Sequence, residues 1–308
     1  MRRGGIIRKA LRAAIVLAAP LAGFAGAPGI ARAEIEFSAV RVEASYTSDN
    51  NVSRGPAGEA LADRIIGLRV SSGLPVPLST RTRAVFQGFA GGEKFQTYSG
   101  LSHNFLGGQG DLQFRSAADF GAATYAAFLR TQAEYYESSL RDGYRHVIGL
   151  SLLKPLTDRI QLFAALAQNI SDGKSAVFDT RSTSLRGNLD WGLSRWDTVY
   201  LGAEYRRGDS VSTASRNDPI KTLGRVNTAT PNIIQDDAFT DIARDAYRLK
   251  TNILMATLGY NRSFGASQSL DVSWRRVQAT AQHPVSPATS SDLSYSVNQF
   301  SLAYLARF

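Results

Sequence analysis

The chain has 308 residues, contains no cysteine, and carries 35 Lys and Arg against 26 Asp and Glu. The absence of cysteine excludes thiolate metal sites, thiol nucleophiles and a disulfide framework. Six of the basic residues, and no acidic residue, lie within residues 1–33. Without that segment 29 basic residues face 26 acidic ones, a net charge of +3. Net charge therefore gives no support to nucleic-acid binding.

Residues 1–33 have the pattern of a cleavable signal peptide. Basic residues cluster in Arg2–Arg12, the apolar stretch Ala13–Ala25 follows, and Ala31–Ala33 forms a small-x-small cleavage site. The apolar stretch is broken by a proline and is shorter than the roughly 20 residues of a membrane-spanning helix. We expect this segment to be removed during export, and a buried amphipathic helix is the alternative.

From Glu34 onward, apolar and polar residues alternate. The pattern is clearest at the end of the chain, where Phe300, Leu302, Tyr304 and Phe308 share one face. Such alternation predicts β-strands with one apolar and one polar face. Many of these segments reach about ten residues, the length of a tilted membrane-spanning strand. Lipid offers no hydrogen-bond partners, so every backbone N–H and C=O group of a spanning strand must be paired within the protein. Spanning strands must therefore close into a barrel.

Counting strands backward from the C-terminus predicts about twelve, with ten or fourteen open because residues 107–126 are hard to divide. The predicted strands are 35–47, 63–74, 80–92, 95–106, 111–137 (ambiguous), 143–153, 159–170, 180–193, 197–212, 248–263, 268–281 and 293–308. Tight connections at Leu74–Ser79, Lys154–Arg159, Ser194–Asp197 and Phe264–Gln268 alternate with long polar ones at Ser48–Ala62, Ser171–Asp179, about 213–246 and Ala281–Asp292. Short periplasmic turns and long extracellular loops are typical of a transmembrane antiparallel up-and-down β-barrel.

Aromatic residues gather near the predicted strand ends, as in the interfacial girdles of membrane barrels. The girdle candidates are Tyr46, Phe95, Tyr98, Tyr135, Tyr136, Trp191, Tyr205, Tyr260, Trp274 and Phe308.

The C-terminal residues also carry a family resemblance. The alternating Phe300, Leu302 and Tyr304 with a final Phe308 resemble the β-signal of Gram-negative outer-membrane proteins, although Ala303 stands where that signal usually has glycine. The turn Pro155–Arg159 and the strand end Tyr205–Asp209 are similar to those of uncharacterised, porin-like proteobacterial barrels. The resemblance covers nearly all of residues 34–308. It implies recognition by the barrel-assembly machinery and residence in the outer membrane, in contact with lipid and lipopolysaccharide.

Enzymatic alternatives rest on three histidines. A barrel phospholipase needs a His and a Ser together, but Ser102 and His103 are neighbours on a strand and therefore point to opposite faces. His146 falls on the apolar face of its strand, and His283 lies in a predicted outer loop. An omptin-like protease needs an Asp–His pair, and the acidic residues of the long loop, Asp236, Asp237, Asp241 and Asp245, have no histidine near them in sequence. We predict no catalytic residue, cofactor or metal site.

The polar face of the strands suggests a function. Its charged residues, which we predict to line the lumen, are Arg41, Glu43, Arg69, Arg130, Glu134, Arg145, Arg186, Asp190, Glu204, Arg206, Asp271 and Arg275. Arginine exceeds acid in this set, so an open pore would favour small anionic solutes. The alternative is a non-conducting surface scaffold, or an accessory of an export or polysaccharide system, that acts through its extracellular loops. A lipid-active outer-membrane enzyme is a third. Twelve strands leave a narrow interior, which the stretch 213–246 either plugs or leaves free.

Overall fold

The structure, a computed structural model, describes residues 38–215, 233–239, 243–282 and 293–308. The predicted signal peptide and His283 lie outside these residues. In the described part of the chain, no helix is both long and apolar enough to cross a membrane.

The described residues form one antiparallel sheet of thirteen strands. These are β1 (Arg41–Asp49), β2 (Asp63–Pro77), β3 (Thr82–Phe95), β4 (His103–Arg115), β5 (Thr124–Tyr136), β6 (Gly143–Pro155), β7 (Ile160–Gly173), β8 (Thr180–Gly192), β9 (Asp197–Ser215), β10 (Ile233–Gln235), β11 (Arg244–Phe264), β12 (Gln268–Ala281) and β13 (Tyr295–Arg307). Short 3-10 helices lie in three of the connections, at Ser99–Leu101, Ser139–Arg141 and Ala176–Phe178.

Twelve of the strands close into a barrel. The last strand, β13, pairs with β1 from Arg41 opposite Arg307 to Asp49 opposite Gln299, and β9 pairs directly with β11. The three-residue β10 pairs only with the upper part of β11. Closure leaves the barrel without an unpaired edge, so the strand ladders satisfy the backbone groups of the wall. The prediction of a closed all-β barrel of about twelve strands is confirmed.

The two ends of the barrel differ. At one, the short-turn end, the turns at 78–81, 116–123, 156–159, 193–196 and 265–267 lie beside the C-terminal Phe308. At the other, the long-loop end, the connections whose residues are all described are 50–62, 96–102, 137–142 and 174–179, and β9 and β12 end there. The strands β9 and β11 extend past their neighbours at the long-loop end, so β9 runs to Ser215 and β11 begins at Arg244, inside the loop expected at about 213–246.

The outer wall is apolar and exposed. Large side chains from every part of the barrel point outward, among them Ile66, Leu150 and Phe300, each more than 60% exposed. Soluble monomers rarely expose continuous apolar surface on this scale, whereas a barrel in lipid must. Tyr46, Tyr135, Trp191, Tyr205 and Trp274 lie on the same outer surface.

Inside the wall, aromatic rings lie over glycines of the neighbouring strand. Phe89 stands opposite Gly107, Phe128 opposite Gly149, and Tyr200 opposite Gly259. A Cβ atom on Gly149 would come within 2.8 Å of the Phe128 ring and 2.4 Å of a backbone oxygen of Leu166. Glycine at these positions gives the ring room against the wall, and the ring covers backbone that glycine leaves bare.

Two details of the sequence prediction are wrong. The predicted strand 95–106 contains the connection 96–102, because the Asp63 carboxylate accepts hydrogen bonds from the N–H groups of Thr97 and Tyr98 and turns the chain there. The strand β4 therefore runs through the glycine-rich segment that was hard to divide. The predicted strand 111–137 is likewise not one strand, since it contains the end of β4, the turn 116–123 and β5.

Three of the girdle aromatics are also placed elsewhere. Phe95 and Tyr98 pack against Phe239 at the long-loop end, and Tyr136 points into the barrel. They lie at strand ends, as predicted, but these strand ends are covered by other loops.

Candidate solute pathway

The barrel encloses a polar cavity of about 650 Å³. It reaches from Arg141, in the connection at the long-loop end, down to Ser151 and Phe163 in the barrel wall. Since a strand rises about 3.3 Å per residue, the six steps from Arg145 to Ser151 alone span roughly 20 Å along β6. The cavity therefore continues below the level of Arg145 and Arg206.

Six of the twelve residues predicted to face the lumen line this cavity: Arg130, Glu134, Arg145, Arg186, Glu204 and Arg206. On the opposite wall, Glu43 stands beside Arg69, the Asp271 carboxylate accepts a hydrogen bond from the Tyr200 hydroxyl at 2.9 Å, and Arg275 stands beside Gln299. Arg41 pairs with Arg307 at the short-turn end. Asp190 lines a second cavity, of about 620 Å³, at the same end.

A chain of hydrogen bonds along β5 organises the cationic wall. Arg130 Nη2 donates to Gln132 Oε1 at 2.8 Å, and Gln132 Nε2 donates to Glu134 Oε1 at 2.5 Å. The other oxygen of Glu134 accepts from the Tyr136 hydroxyl at 3.1 Å and from Arg145 Nη2 at 3.3 Å. One buried carboxylate thus orients two arginines, whose remaining N–H groups are available to the cavity.

Arginines on the inner face also contact aromatic rings or a single carboxylate. Arg69 and Arg130 lie over the ring of Phe89, with guanidinium carbons 4.4 and 4.6 Å from its centroid. Arg186 lies over Phe163 at 5.0 Å. Arg206 pairs with Glu204 at 2.7 Å. Such cation–π contacts hold a guanidinium against the wall without neutralising its charge.

Charge on the lining is unbalanced. Among the described residues that line the cavity are six arginines and four carboxylates. Arg130 interacts electrostatically with Arg69, Arg145 and Arg186 and with one carboxylate, Glu134. Low-dielectric walls focus the field of such a cluster.

A segment formed by the ends of β9 and β11 covers the long-loop end. We call it the mouth hairpin, and its described residues are 211–215, 233–239 and 244–247. The N–H of Thr213 donates to Ser53 O at 2.9 Å, and Arg244 forms an ion pair with Glu59 at 2.9 Å, so the hairpin reaches the β1–β2 loop. Because β1 and β2 are separated from β11 by β12 and β13, the mouth hairpin must extend across the opening.

The mouth hairpin also contacts three other loops. Phe239, 1% exposed, packs with Leu101 in the β3–β4 loop, and Ala246 packs with Val177 and Phe178 in the β7–β8 loop. In the β5–β6 loop, Arg141 binds Asp236 at 2.5 Å and the Ser138 hydroxyl donates to Asp237. These contacts roof the cavity at the long-loop end.

Neither of the two described histidines, His103 and His146, is hydrogen-bonded to a serine or a carboxylate. The ring of His103 stacks on Tyr136 at 4.5 Å, while the Ser102 hydroxyl accepts a hydrogen bond from the N–H of Phe95 instead of meeting the histidine. His146 contacts the Thr131 hydroxyl on the outer face. Over the described residues, no group of three His, Asp or Glu side chains is close enough to hold a metal ion.

Several residues of the site were missed by the sequence prediction. Gln132 and Tyr136 alternate with Arg130 and Glu134, so their position on the strand could have identified them. Arg141 lies in a loop, where no periodicity shows which way a side chain points.

Comparisons with known proteins bear on the fold of the chain. No protein-family model and no curated protein matches the chain. An outer membrane channel from Pseudomonas putida F1 is similar in structure, with a TM-score of 0.53, 13% identity, and coverage of 92% of this chain and 99% of that one. The KdgM porin, solved in complex with disordered oligogalacturonate, and the NanC porin give TM-scores of 0.45 and 0.44 at 9% identity, covering 87% and 88% of this chain and 99% and 100% of theirs. With its lipid-type outer wall and closed sheet, the chain is an outer-membrane β-barrel.

Proposed function

We propose that this protein is a narrow outer-membrane channel for small hydrophilic solutes, with a preference for anions. The observation that carries the proposal is the roofed cavity in which six arginines exceed four carboxylates over a length of roughly 20 Å. Cationic side chains along a water-filled path favour anions and raise their local concentration. Arg130, Arg145, Arg186 and Arg206 are the selectivity residues in this proposal.

The proposed channel also requires export and insertion into the outer membrane. Residues 1–33 direct export and are cleaved, and the final strand, with Phe300, Leu302, Tyr304 and Phe308, is read by the barrel-assembly machinery of a Gram-negative cell. The long-loop end then faces the cell exterior, among lipopolysaccharide, and the short-turn end faces the periplasm.

Planar-bilayer recordings of the refolded protein test the channel. We expect unitary currents and a reversal potential in a KCl gradient that shows chloride selectivity. Replacing Arg130, Arg145 and Arg186 together by Gln is expected to lower the chloride-to-potassium permeability ratio several-fold. Arg181→Gln is the matched control, because Arg181 is exposed on the outer face of the same strand as Arg186.

A non-conducting surface scaffold is the second candidate, and the mouth hairpin favours it. Four loops pack against this hairpin, which gives the long-loop end a defined surface. A variant in which a two-residue turn replaces residues 212–245 separates the candidates. Currents from this variant or from the native chain support the channel. Absence of current from both, in barrels that are folded by gel mobility, overturns the channel and leaves the scaffold.

A further inference from the structure

Arg141 lies where the cavity meets its roof. Its side chain is among those that line the cavity, it is 16% exposed, and its guanidinium lies 4.4 Å from the ring centroid of Phe178. The Nη2 atom binds Asp236, while the Nε atom is buried and has no hydrogen-bond partner. These two nitrogens form one edge of the guanidinium, the edge that binds carboxylate and phosphate groups with two parallel hydrogen bonds. Asp236 binds only the Nη2 atom of this edge and leaves Nε without a partner.

The Asp236 carboxylate accepts hydrogen bonds from three donors, as a bound oxyanion does. Its side chain is fully buried, and one oxygen accepts hydrogen bonds from Arg141 Nη2 and, at 2.8 Å, from the Thr213 hydroxyl. Its other oxygen accepts from the N–H of Ala238 at 3.2 Å. The hydroxyl and the amide belong to the mouth hairpin itself, whereas Arg141 lies in the β5–β6 loop and stays at the cavity when Asp236 leaves. A guanidinium binds any small oxyanion, so this donor is selective for charge and shape and not for aspartate.

We propose that Arg141 is the first anion-binding site on the pathway and that Asp236 occupies this site while the mouth hairpin is closed. An oxyanion group on an arriving solute, whether phosphate, sulfate or carboxylate, uses both Nε and Nη2 and displaces Asp236. One of the two polar contacts between the mouth hairpin and the β5–β6 loop is then lost, so the hairpin lifts more often and exposes the arginines below. The identity of the passing solute rests on the proposed channel function, but the displacement itself rests only on these contacts.

The remaining contacts of the mouth hairpin limit how far displacement acts. Phe239 packs in an apolar cluster, Asp237 accepts from Ser138, and Arg244 pairs with Glu59. None of these three contacts involves Arg141, so an anion at Arg141 weakens closure without abolishing it. Opening is expected to be transient and to depend on anion concentration.

A single cysteine reports opening without any need for current. The chain has no cysteine of its own. Ser212 is fully buried and its hydroxyl has no hydrogen-bond partner, so Ser212→Cys is nearly isosteric and costs no hydrogen bond. The rate at which a water-soluble thiol reagent labels this cysteine, in refolded full-length protein in detergent micelles, measures how often the mouth hairpin lifts.

In this background, Asp236→Asn is expected to raise the labelling rate at least tenfold. Inorganic phosphate is expected to raise the rate of the otherwise native protein with saturation, and chloride at equal ionic strength is not. Arg141→Gln is expected to label fast and to show no response to phosphate. Asp172→Asn is the matched control, because this exposed carboxylate lies on the same rim and away from the hairpin.

Three further measurements keep the outcome decisive. Asp237→Asn is expected to change the rate less than Asp236→Asn, so equal effects would mean general loosening and would overturn the proposal. Equal rates in phosphate and chloride would overturn it as well. Lipopolysaccharide at matched phosphate concentration is expected to have no effect, since Arg141 faces the interior. If the Ser212→Cys reporter is labelled as expected but the barrel never conducts, the channel is refuted and the displacement stands. If the barrel conducts but phosphate does not change the labelling rate, the displacement is refuted and the channel stands.

Discussion

The two ends of the barrel are stabilised by different kinds of contact. At the short-turn end, turns are held by side chains of their own residues: Ser79 accepts from Thr82, Thr157 from Ile160, and Ser194 from Asp197. Apolar turn residues there, such as Phe120, stay exposed.

At the long-loop end, contacts join residues that are far apart in sequence. Arg244 reaches the backbone oxygen of Glu59 across 185 positions, and Arg141 binds Asp236 across 95. Fully buried side chains such as Phe239, Val177, Asn51 and Thr213 cluster at this end. Contacts within single turns hold the short-turn end, whereas the long-loop end depends on distant segments that the closed barrel brings together. The long-loop end is therefore the part able to move without unfolding the wall.

The largest expected effect comes from removing the apolar anchor of the mouth hairpin. Phe239→Ala leaves a cavity in the cluster around Leu101 and should cost about 3–5 kcal/mol of docking free energy. Labelling of the Ser212→Cys reporter is then expected to accelerate by about a hundredfold or more. Phe120→Ala, at the exposed short-turn position, is the control and should leave labelling unchanged. Similar rates in both variants would show that the mouth hairpin is not docked.

An intermediate effect is expected in the wall between the two ends. Gly149→Val places a side chain against the backbone oxygen of Leu166 and the ring of Phe128, which should lower the free energy of unfolding by about 1–3 kcal/mol. Urea unfolding in micelles measures it. The control is Gly88→Val, where a Cβ atom meets nothing within 4 Å. Equal destabilisation would mean that ring-over-glycine packing contributes nothing to the wall.

The smallest effect distinguishes the ends directly. Gly265 in the β11–β12 turn and Gly58 in the β1–β2 loop both have positive φ, +74° and +84°, and open space around the Cβ position. An L-residue in this conformation costs about 1–2 kcal/mol. Gly265→Ala is expected to lower the urea midpoint of the whole barrel, because its turn joins two wall strands. Gly58→Ala should leave the midpoint unchanged and increase only proteolysis of its loop; a shared midpoint shift would contradict the division into two ends.

The strand pattern of the barrel wall, and the face on which each side chain lies, can be predicted from the sequence alone. The closed barrel, a count of ten to fourteen strands and the apolar outer surface follow from an alternation with period two, which is local and survives wherever a strand forms. The position of Arg130, Glu134, Arg145 and Arg186 on one face needed no knowledge of the fold. Where the alternation weakened, in the glycine-rich part of β4, the strand boundary was misplaced.

The position of the mouth hairpin across the long-loop end, in contrast, is visible only in the tertiary structure. Nothing in the local pattern around Arg141 or Asp236 indicates that they meet, since their approach depends on closure of twelve strands and on the extra length of β9 and β11. Tyr98 shows the same limit: its place near a strand end suits a membrane interface, but the mouth hairpin covers it. Periodicity specifies which face a side chain takes, whereas its partner is selected by packing between distant segments, and a local pattern does not encode that packing.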